Sequence, residues 1–287
     1  MKTLILDSTQ LDSYWECPQK HAYSFIENLT LSNEIREEIS AGTMMHKLLE
    51  NYYTTDSPVG AAQLTYQVIE EEFPLSLPIQ KQVYKRFEDY VMRYSSGDYR
   101  PLKKKVWRVE ILPDGLPFDC WVEVPLVEQG FSYELLHTKE YLFVLEGRID
   151  FLGESQDGQH LWMDHKLQFQ AGEIYNKSIQ FRNYSLVTGL NLGVINYIRM
   201  HKELSADTFK RSVISFSSLE MKQWKEELIE KYIEISQGKI TMNRHACAGP
   251  FKKFPCQFTQ LCEERNSVIR DTIKSTKYIK KEQWRPW

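Results

Sequence analysis

Hydrophobic residues in the first hundred positions recur every three to four residues, which is typical of amphipathic helices. The pattern predicts helices over residues 8–30, 33–54, 60–73 and 78–96. Pro18 suits the first turn of a helix better than its middle, so a break near Cys17 is expected in the first of these.

The central part of the chain alternates apolar and polar residues over short runs, as strands do. The predicted strands are 106–112, 118–127, 141–152, 160–167, 192–199 and 211–216. An Asp-Gly pair within Ser155–Gln159 predicts a hairpin turn between the third and fourth of them. Helical spacing returns at 173–190 and 218–235. This mixture predicts an α/β fold, with a sheet flanked by helices.

The length of 287 residues exceeds that of a typical single domain. We expect a helical region at 1–100, a sheet-bearing core at 101–240, and a tail at 241–287 that is rich in cysteine and has little periodicity. No run of about eighteen apolar residues occurs, and the N-terminus does not have the form of a signal peptide. The sequence therefore predicts a cytoplasmic protein that does not span a membrane.

A net charge of −3 neither indicates nor excludes a protein that binds nucleic acid. Basic clusters occur at Lys103–Lys105 with Arg108, at Lys252–Lys253, and at Lys274–Arg285. Each cluster alone is typical of a solvated face, but together they could contact phosphates. No phosphate-binding loop of the Walker type appears, so any ATP-driven unwinding would come from a partner.

Candidate chemistry lies on the predicted hairpin. Asp150 stands near the end of its first strand, and Asp164 and Lys166 stand near the end of the second. Residues two apart on a strand share a face, so Asp164 and Lys166 point the same way. Two carboxylates and a lysine could hold a divalent cation and an attacking water. An isolated Asp-x-Lys is more commonly a surface ion pair, so the pairing with Asp150 decides the interpretation.

Five cysteines are present, and an odd number in a cytosolic chain argues against a disulfide framework. Cys247, Cys256 and Cys262 cluster late in the chain, whereas Cys17 lies in the first predicted helix. This clustering indicates a metal site. Cys120 falls in a predicted strand and is expected to be an inert core thiol.

Four motifs occur in a specific order: GTMMHKLLE from Gly42, EGRIDFLG around Asp150, MDHK ending at Lys166, and SIQFRNYSLV with Gln180 and Tyr184. This order resembles the PD-(D/E)XK nuclease superfamily, specifically the iron–sulfur branch of Cas4-type exonucleases and AddB- and RecB-like nuclease domains. The resemblance covers about residues 8–265. It implies a restriction-endonuclease-like mixed central sheet flanked by helices, an N-terminal helical region and a C-terminal iron–sulfur clasp.

The resemblance also implies roles for individual residues. His46, Asp150, Asp164 and the backbone carbonyl of His165 would hold Mg²⁺ or Mn²⁺. Lys166 would position the attacking water and stabilise charge on the phosphate. A further motif pair would organise the site: Gln180 and Tyr184.

Each of these residues also has a simpler interpretation. Taken alone, His46 would be a packed helical histidine, and Gln180 and Tyr184 would be a polar helix surface and a core tyrosine. The superfamily often has a carboxylate on the strand that carries Glu123, but an exposed strand glutamate is the favoured interpretation there.

The same resemblance makes Cys17, Cys247, Cys256 and Cys262 ligands of a [4Fe–4S] cluster. The Cys247–Cys256 spacing is longer than the shortest spacings of Cas4-type proteins. A structural Zn²⁺ on the same four cysteines is the main alternative.

The function implied is that of a metal-dependent deoxyribonuclease, an exonuclease that prefers single-stranded DNA ends. It would act in recombination, repair, or phage- or CRISPR-type DNA processing. The alternative is a non-catalytic DNA-binding or assembly subunit of a helicase–nuclease or DNA-processing complex. DNA is the expected partner, with a helicase or processing protein as a possible second one. A homo-oligomer stays open because ring-forming relatives exist.

Overall fold

A computed structural model describes residues 1–32, 37–55, 76–94, 99–111, 117–169, 178–200, 203–247 and 256–281. The chain divides into two compact units. Unit 1 comprises Met1–Ile35, Gly130–Gly147 and Leu219–Trp287, and unit 2 comprises Arg36–Gln129 and Arg148–Ser218.

The secondary-structure elements within these residues are labelled in chain order. The strands are β1 Lys2–Leu6, β2 Leu29–Leu31, β3 Tyr99–Pro101, β4 Lys103–Ile111, β5 Pro117–Pro125, β6 Val127–His137, β7 Tyr141–Ser155, β8 His160–Gln168, β9 Leu192–Arg199, β10 Phe209–Ser215 and β11 Tyr278–Lys280. The helices are α1 Ser8–Glu16, α2 Pro18–His21, a π-helical turn Ala22–Ile26, α3 Glu37–Thr54, α4 Leu77–Tyr94, α5 Ile179–Thr188, α6 Ser218–Ser236, α7 Arg244–Cys247, α8 Thr259–Glu263 and α9 Ser267–Lys277.

Unit 2 is built on a mixed sheet. The second half of β7 pairs antiparallel with β8, β8 pairs parallel with β9, and β9 pairs antiparallel with β10. Mixed sheets of this kind, flanked by helices, are consistent with the restriction-endonuclease-like fold predicted from the sequence. The strands β4 and β5 pair with each other as predicted, but they form a separate two-stranded sheet.

Successive residues of β8 face opposite sides of the sheet, and each side is covered by helices. On one side the ring of His165 stacks on Tyr53 of α3 at a centroid distance of 5.8 Å. On the other side the Trp162 indole packs on Phe181 and Tyr184 of α5 and donates a hydrogen bond to Ser185 Oγ at 2.9 Å. This alternation turns the odd and even residues of one strand toward different helices.

Helix α3 is amphipathic, which explains its place beside the sheet. Its buried residues recur at helical spacing and form one apolar cluster with α4 and the end of β9. The α3 members of the cluster are Ala41, Met44, Met45, Leu48 and Leu49.

In unit 1, β1 pairs parallel with the first half of β7. The buried Tyr232 of α6 donates a hydrogen bond to the Val144 carbonyl at 2.7 Å, and its hydroxyl lies 3.3 Å from the Leu6 carbonyl. The tail is ordered by a small apolar cluster and by pairing of β11 with β2. The buried members of this cluster are Tyr23, Leu29, Phe258, Leu261 and Tyr278.

Most elements predicted from the hydrophobic pattern are confirmed to within a few residues, including the break at Cys17, whose backbone is extended between α1 and α2. The hydrophobic pattern did not indicate the strands β1, β2, β3, β6 and β11 or the helices α7, α8 and α9, and residues 29 and 30, expected at the end of a helix, lie in β2. The helix expected at 60–73 lies outside the described residues. The three-part division at residues 100 and 240 stays a prediction. Every helix in the described segments is too short or too polar to cross a bilayer.

Gly193 of β9 lies beside Trp162 of β8 in the parallel register, and a Cβ built there would come within 2.2 Å of the indole. We therefore expect Gly193→Ala to lower the free energy of unfolding by about 1–3 kcal/mol, as overpacking does. Gly42 of α3 is the matched control, since a Cβ there meets nothing within 4 Å. Gly42→Ala should leave stability unchanged or raise it by about 0.5–1 kcal/mol. Urea denaturation followed by circular dichroism measures both, and equal stability of the two variants would contradict the packing described.

Candidate metal centre

Asp150 of β7 and Asp164 of β8 both lie in the interior of unit 2. Asp150 is 6% exposed and Asp164 is 0% exposed. The backbone N–H of His165 donates a hydrogen bond of 2.7 Å to Asp150 Oδ2, so the end of β8 holds this carboxylate in place. The predicted hairpin therefore brings both carboxylates into one buried region.

His46 of α3 reaches the same region. Its Nδ1 lies 3.2 Å from Glu128 Oε1 and 3.5 Å from Asp150 Oδ2, and its Nε2 lies 3.0 Å from the carbonyl oxygen of His165. Ligand atoms of His46, Glu128 and Asp150 all lie within 4.8 Å of one another. We call these three residues the ligand group.

Glu128 of β6 is the member of the ligand group that the sequence analysis did not identify. Glu123, the carboxylate considered on the preceding strand, is exposed on β5 opposite Lys105, as the favoured interpretation expected. Glu128 has a φ of +48°, in the left-handed region that residues other than glycine seldom adopt. Unusual backbone conformations of this kind concentrate at functional sites, but no sequence pattern reveals them.

Lys166 links the carboxylates to α5. Its ammonium lies 2.8 Å from Asp164 Oδ2 and donates a hydrogen bond of 3.0 Å to Gln180 Oε1. The Gln180 amide then donates to the Tyr184 hydroxyl at 2.7 Å, and that hydroxyl donates to the Arg148 carbonyl at 2.8 Å. Gln180 and Tyr184, four residues apart on one helical face, thus hold the head group of Lys166 from one side.

The electrostatics of this region follow from burying several carboxylates together. Burial raises the pKa of Asp164 to about 6, although Lys166 pulls it down, and burial raises the pKa of Asp150 as well. Burial alone would lower the pKa of His46, but Asp150 and Glu128 outweigh it and raise that pKa to about 9. Burial alone would also lower the pKa of Lys166, but Asp164 and Asp150 raise it above its ordinary value.

A divalent cation fits this donor set. Carboxylate oxygens are the ligands that Mg²⁺ and Mn²⁺ prefer, an imidazole nitrogen suits softer divalent ions, and buried like charges are relieved by a cation between them. The ligand group would hold the ion, and Asp164 and the His165 carbonyl lie beside it. The metal site expected from the resemblance therefore gains a carboxylate that was not expected, Glu128.

The side chain of His165 points away from the ligands into a polar network. Its Nδ1 lies 2.8 Å from the Asn196 amide, which donates to the Tyr90 hydroxyl at 3.1 Å. Tyr90 also receives a hydrogen bond of 3.3 Å from Arg211. The network fixes the peptide whose carbonyl faces His46.

Four free cysteines lie in unit 1: Cys17, Cys247, Cys256 and Cys262. Cys17 is buried and its sulfur accepts a hydrogen bond of 3.3 Å from the backbone N–H of Asn243. Burial and then the thiolate charges of the other three cysteines raise the pKa of Cys262 to about 11. Burial and the charges of Cys256 and Cys17 raise the pKa of Cys247.

The four cysteines thus lie in one neighbourhood, where the charges of other cysteines raise the pKa of Cys247 and of Cys262. The side chain of Cys120 lies outside the described residues.

A sequence profile of the PD-(D/E)XK nuclease superfamily matches residues 8–263. No curated protein sequence matches the chain. Among solved structures, SSO0001 shares 10% identity over 77% of this chain and 86% of its own, with a TM-score of 0.30. Rai1 of Scheffersomyces stipitis shares 11% identity over 81% of this chain and 70% of its own, with a TM-score of 0.22. These structural likenesses are too weak to carry an inference, whereas the profile spans most of the chain and its motif residues meet in one site. The chain belongs to the PD-(D/E)XK nuclease superfamily.

Proposed function

We propose that this protein is a Mg²⁺- or Mn²⁺-dependent DNA exonuclease that acts on DNA ends and prefers single strands. The observation that carries the proposal is the ligand group His46, Glu128 and Asp150 beside the Asp164–Lys166 ion pair. The preference for ends and for single strands rests on the resemblance of the motif order to Cas4-type and AddB- and RecB-like nucleases.

His46, Glu128, Asp150 and Asp164, with the His165 carbonyl, would hold the divalent cation. When bound, such a cation supplies a more acidic water and offsets negative charge on the phosphate. The chain's own contribution is to bury these ligands together, so that they face a cation without rearranging. Asp150 is held by the N–H of His165, and His46 is held by α3 packing on the sheet.

Lys166 acts in this proposal as a fixed positive charge. Burial alone would lower its pKa, but the Asp164 and Asp150 carboxylates raise it, which favours the protonated ammonium. An ammonium held within the site can stabilise the charge that develops on a phosphate and orient the attacking water. Gln180 and Tyr184 hold this ammonium and the Arg148 peptide in place.

Basic residues in the same unit support a DNA partner. Lys103, Lys104 and Lys105 of β4 are exposed. Phosphate contacts by lysines supply much of the affinity for a nucleic acid without reading its sequence. Stacking of bases on aromatic side chains has less support. Phe181 is fully buried against Trp162, and Tyr14 is 6% exposed.

We propose that Cys17, Cys247, Cys256 and Cys262 bind a [4Fe–4S] cluster, with structural Zn²⁺ as the alternative. The distribution of one early and three late cysteines, without the short paired C-x-x-C knuckles of many zinc sites, favours the cluster. The hydrogen bond from the Asn243 N–H to the Cys17 sulfur is of the kind that tunes the reduction potential of a cluster.

The biological setting follows as part of the proposal. A nuclease without a Walker-type loop would rely on a helicase or another processing protein for unwinding. We propose a role in recombination, repair, or phage- or CRISPR-type DNA processing in the cytoplasm, alone or as a homo-oligomer.

The catalytic proposal is tested with Asp164→Asn and Lys166→Met. Each removes a charge next to the expected phosphate, so we expect digestion of linear single-stranded DNA in Mn²⁺ to slow by about 10²–10³-fold. The matched control is Glu123→Gln, which alters an exposed strand carboxylate and should digest DNA at the wild-type rate. Circular dichroism melting confirms that the variants are folded. Undiminished digestion by both site variants would remove the pair from catalysis.

The mode of cutting is tested with linear and circular single strands of the same sequence. An exonuclease needs an end, so we expect the linear strand to be degraded and the circle to stay intact in Mg²⁺ and in Mn²⁺. Strands labelled at the 5′ or the 3′ end give the polarity from the order in which label is released. Rapid cutting of the circle would show an endonuclease instead.

The cluster is tested by the colour and metal content of protein purified without oxygen. We expect a brown solution with broad visible absorption and about four iron atoms per chain. Cys256→Ser should lose most of the iron and colour, whereas Cys120→Ser should keep both. A colourless wild-type preparation with one zinc ion per chain would establish the zinc alternative.

A further inference from the structure

Arg148 stands at the edge of the candidate metal centre. It precedes Asp150 by two residues on β7, so both side chains point to the same side of the strand. Its backbone carbonyl accepts the Tyr184 hydroxyl at 2.8 Å, which anchors the main chain, while its side chain is 38% exposed. A side chain in this position can change partners while its backbone stays fixed.

The contact between the Arg148 guanidinium and Glu128 is a long one. Arg148 Nη1 lies 3.5 Å from Glu128 Oε2. Charge-assisted hydrogen bonds between guanidinium and carboxylate groups are usually about 2.7–2.9 Å long and often bidentate. The ion pair is therefore held mainly by charge and not by close hydrogen bonding.

The two oxygens of Glu128 face different neighbours. Oε1 lies beside His46 within the ligand group, and Oε2 lies beside Arg148. A divalent cation in the ligand group would offset the charge of Glu128 and so weaken its attraction for Arg148. The guanidinium, which is 38% exposed, would then be better able to turn toward an anion beside the cation site.

We propose that Arg148 binds a non-bridging phosphate oxygen of the DNA strand when the ligand group holds its divalent cation. This inference rests on the proposed nuclease function and deepens it by naming a substrate-binding residue. The planar guanidinium can donate two parallel hydrogen bonds to a phosphate, which suits it to fix the strand beside the carboxylates. In the absence of the cation, the pairing with Glu128 keeps the same guanidinium within the site.

A purely structural role of Arg148 predicts a different effect on DNA affinity. If Arg148 only offset the charge of Glu128, its loss would change stability or metal affinity and leave DNA affinity at saturating metal unaltered. The two roles are therefore separated by measuring DNA binding and metal binding independently, without relying on cleavage.

The test uses Arg148→Met and Arg148→Lys in the full chain, with Arg93→Met as the matched control. Arg93 is an exposed arginine of α4 that lines a separate cavity of about 540 Å³ with Met92 and Leu204. Binding of a fluorescent single-stranded oligonucleotide is followed by anisotropy at several salt concentrations in saturating Ca²⁺, which takes the same oxygen ligands. A gel confirms that the oligonucleotide stays intact. Mn²⁺ binding without DNA is followed by electron paramagnetic resonance.

We expect Arg148→Met to bind the oligonucleotide about tenfold more weakly, the loss of one charged hydrogen-bonding group. The slope of its log affinity against log salt concentration should decrease by the equivalent of roughly one phosphate contact. Mn²⁺ affinity should stay equal to the wild type or increase, because a competitor for Glu128 is removed. Arg148→Lys should recover part of the DNA affinity, and Arg93→Met should match the wild type.

Wild-type DNA affinity and salt dependence in a folded, metal-binding Arg148→Met would overturn the inference while leaving the nuclease function intact. A wild-type chain that binds neither Mn²⁺ nor the oligonucleotide would overturn the proposed function, and the inference with it.

Discussion

The crowding of three carboxylates inside unit 2 is the constraint on which the rest of the site depends. Glu128, Asp150 and Asp164 approach one another where little water reaches, and buried like charges are costly unless cations accompany them. His46 and Lys166 supply positive charge, and their raised pKa values show how strongly the carboxylates act on them. Such an arrangement lowers the stability of the fold when no further positive charge is present. A divalent cation is the partner that its charge and donor atoms suit best.

The fold supplies the geometry that makes this crowding possible. Strand β8 alternates between two helical layers, so Asp164 and Lys166 face α5 while the ring of His165 faces α3. The carbonyl of the same His165 residue faces His46. Packing of α3 on the sheet thus brings a histidine to the carboxylates, and hydrogen bonds from α5 fix the lysine. The expected ligands come from four separate elements, α3, β6, β7 and β8, which explains why no short segment of the sequence contains the site.

Much of this could be predicted from the sequence, because the informative patterns are local. Apolar spacing located the helices and the hairpin, and the Asp-x-Lys motif depends on the alternation of a single strand. Glu128 could not be found in this way, since its role depends on a positive φ and on a partner helix far away in the chain. The helix α9 could have been found from Ile269 and Ile273, which lie four residues apart on one face, whereas the contacts that order the rest of the tail are long-range.

The most direct test of the account is the affinity of the chain for Mn²⁺ when Glu128 is replaced. Glu128→Gln keeps the shape of the side chain but removes its charge. It therefore distinguishes the role of Glu128 as a metal ligand from its role in packing. We predict that isothermal titration calorimetry finds Mn²⁺ binding to the wild type and an affinity about 10–100-fold weaker in Glu128→Gln. An unchanged affinity in Glu128→Gln and in Asp150→Asn would contradict it.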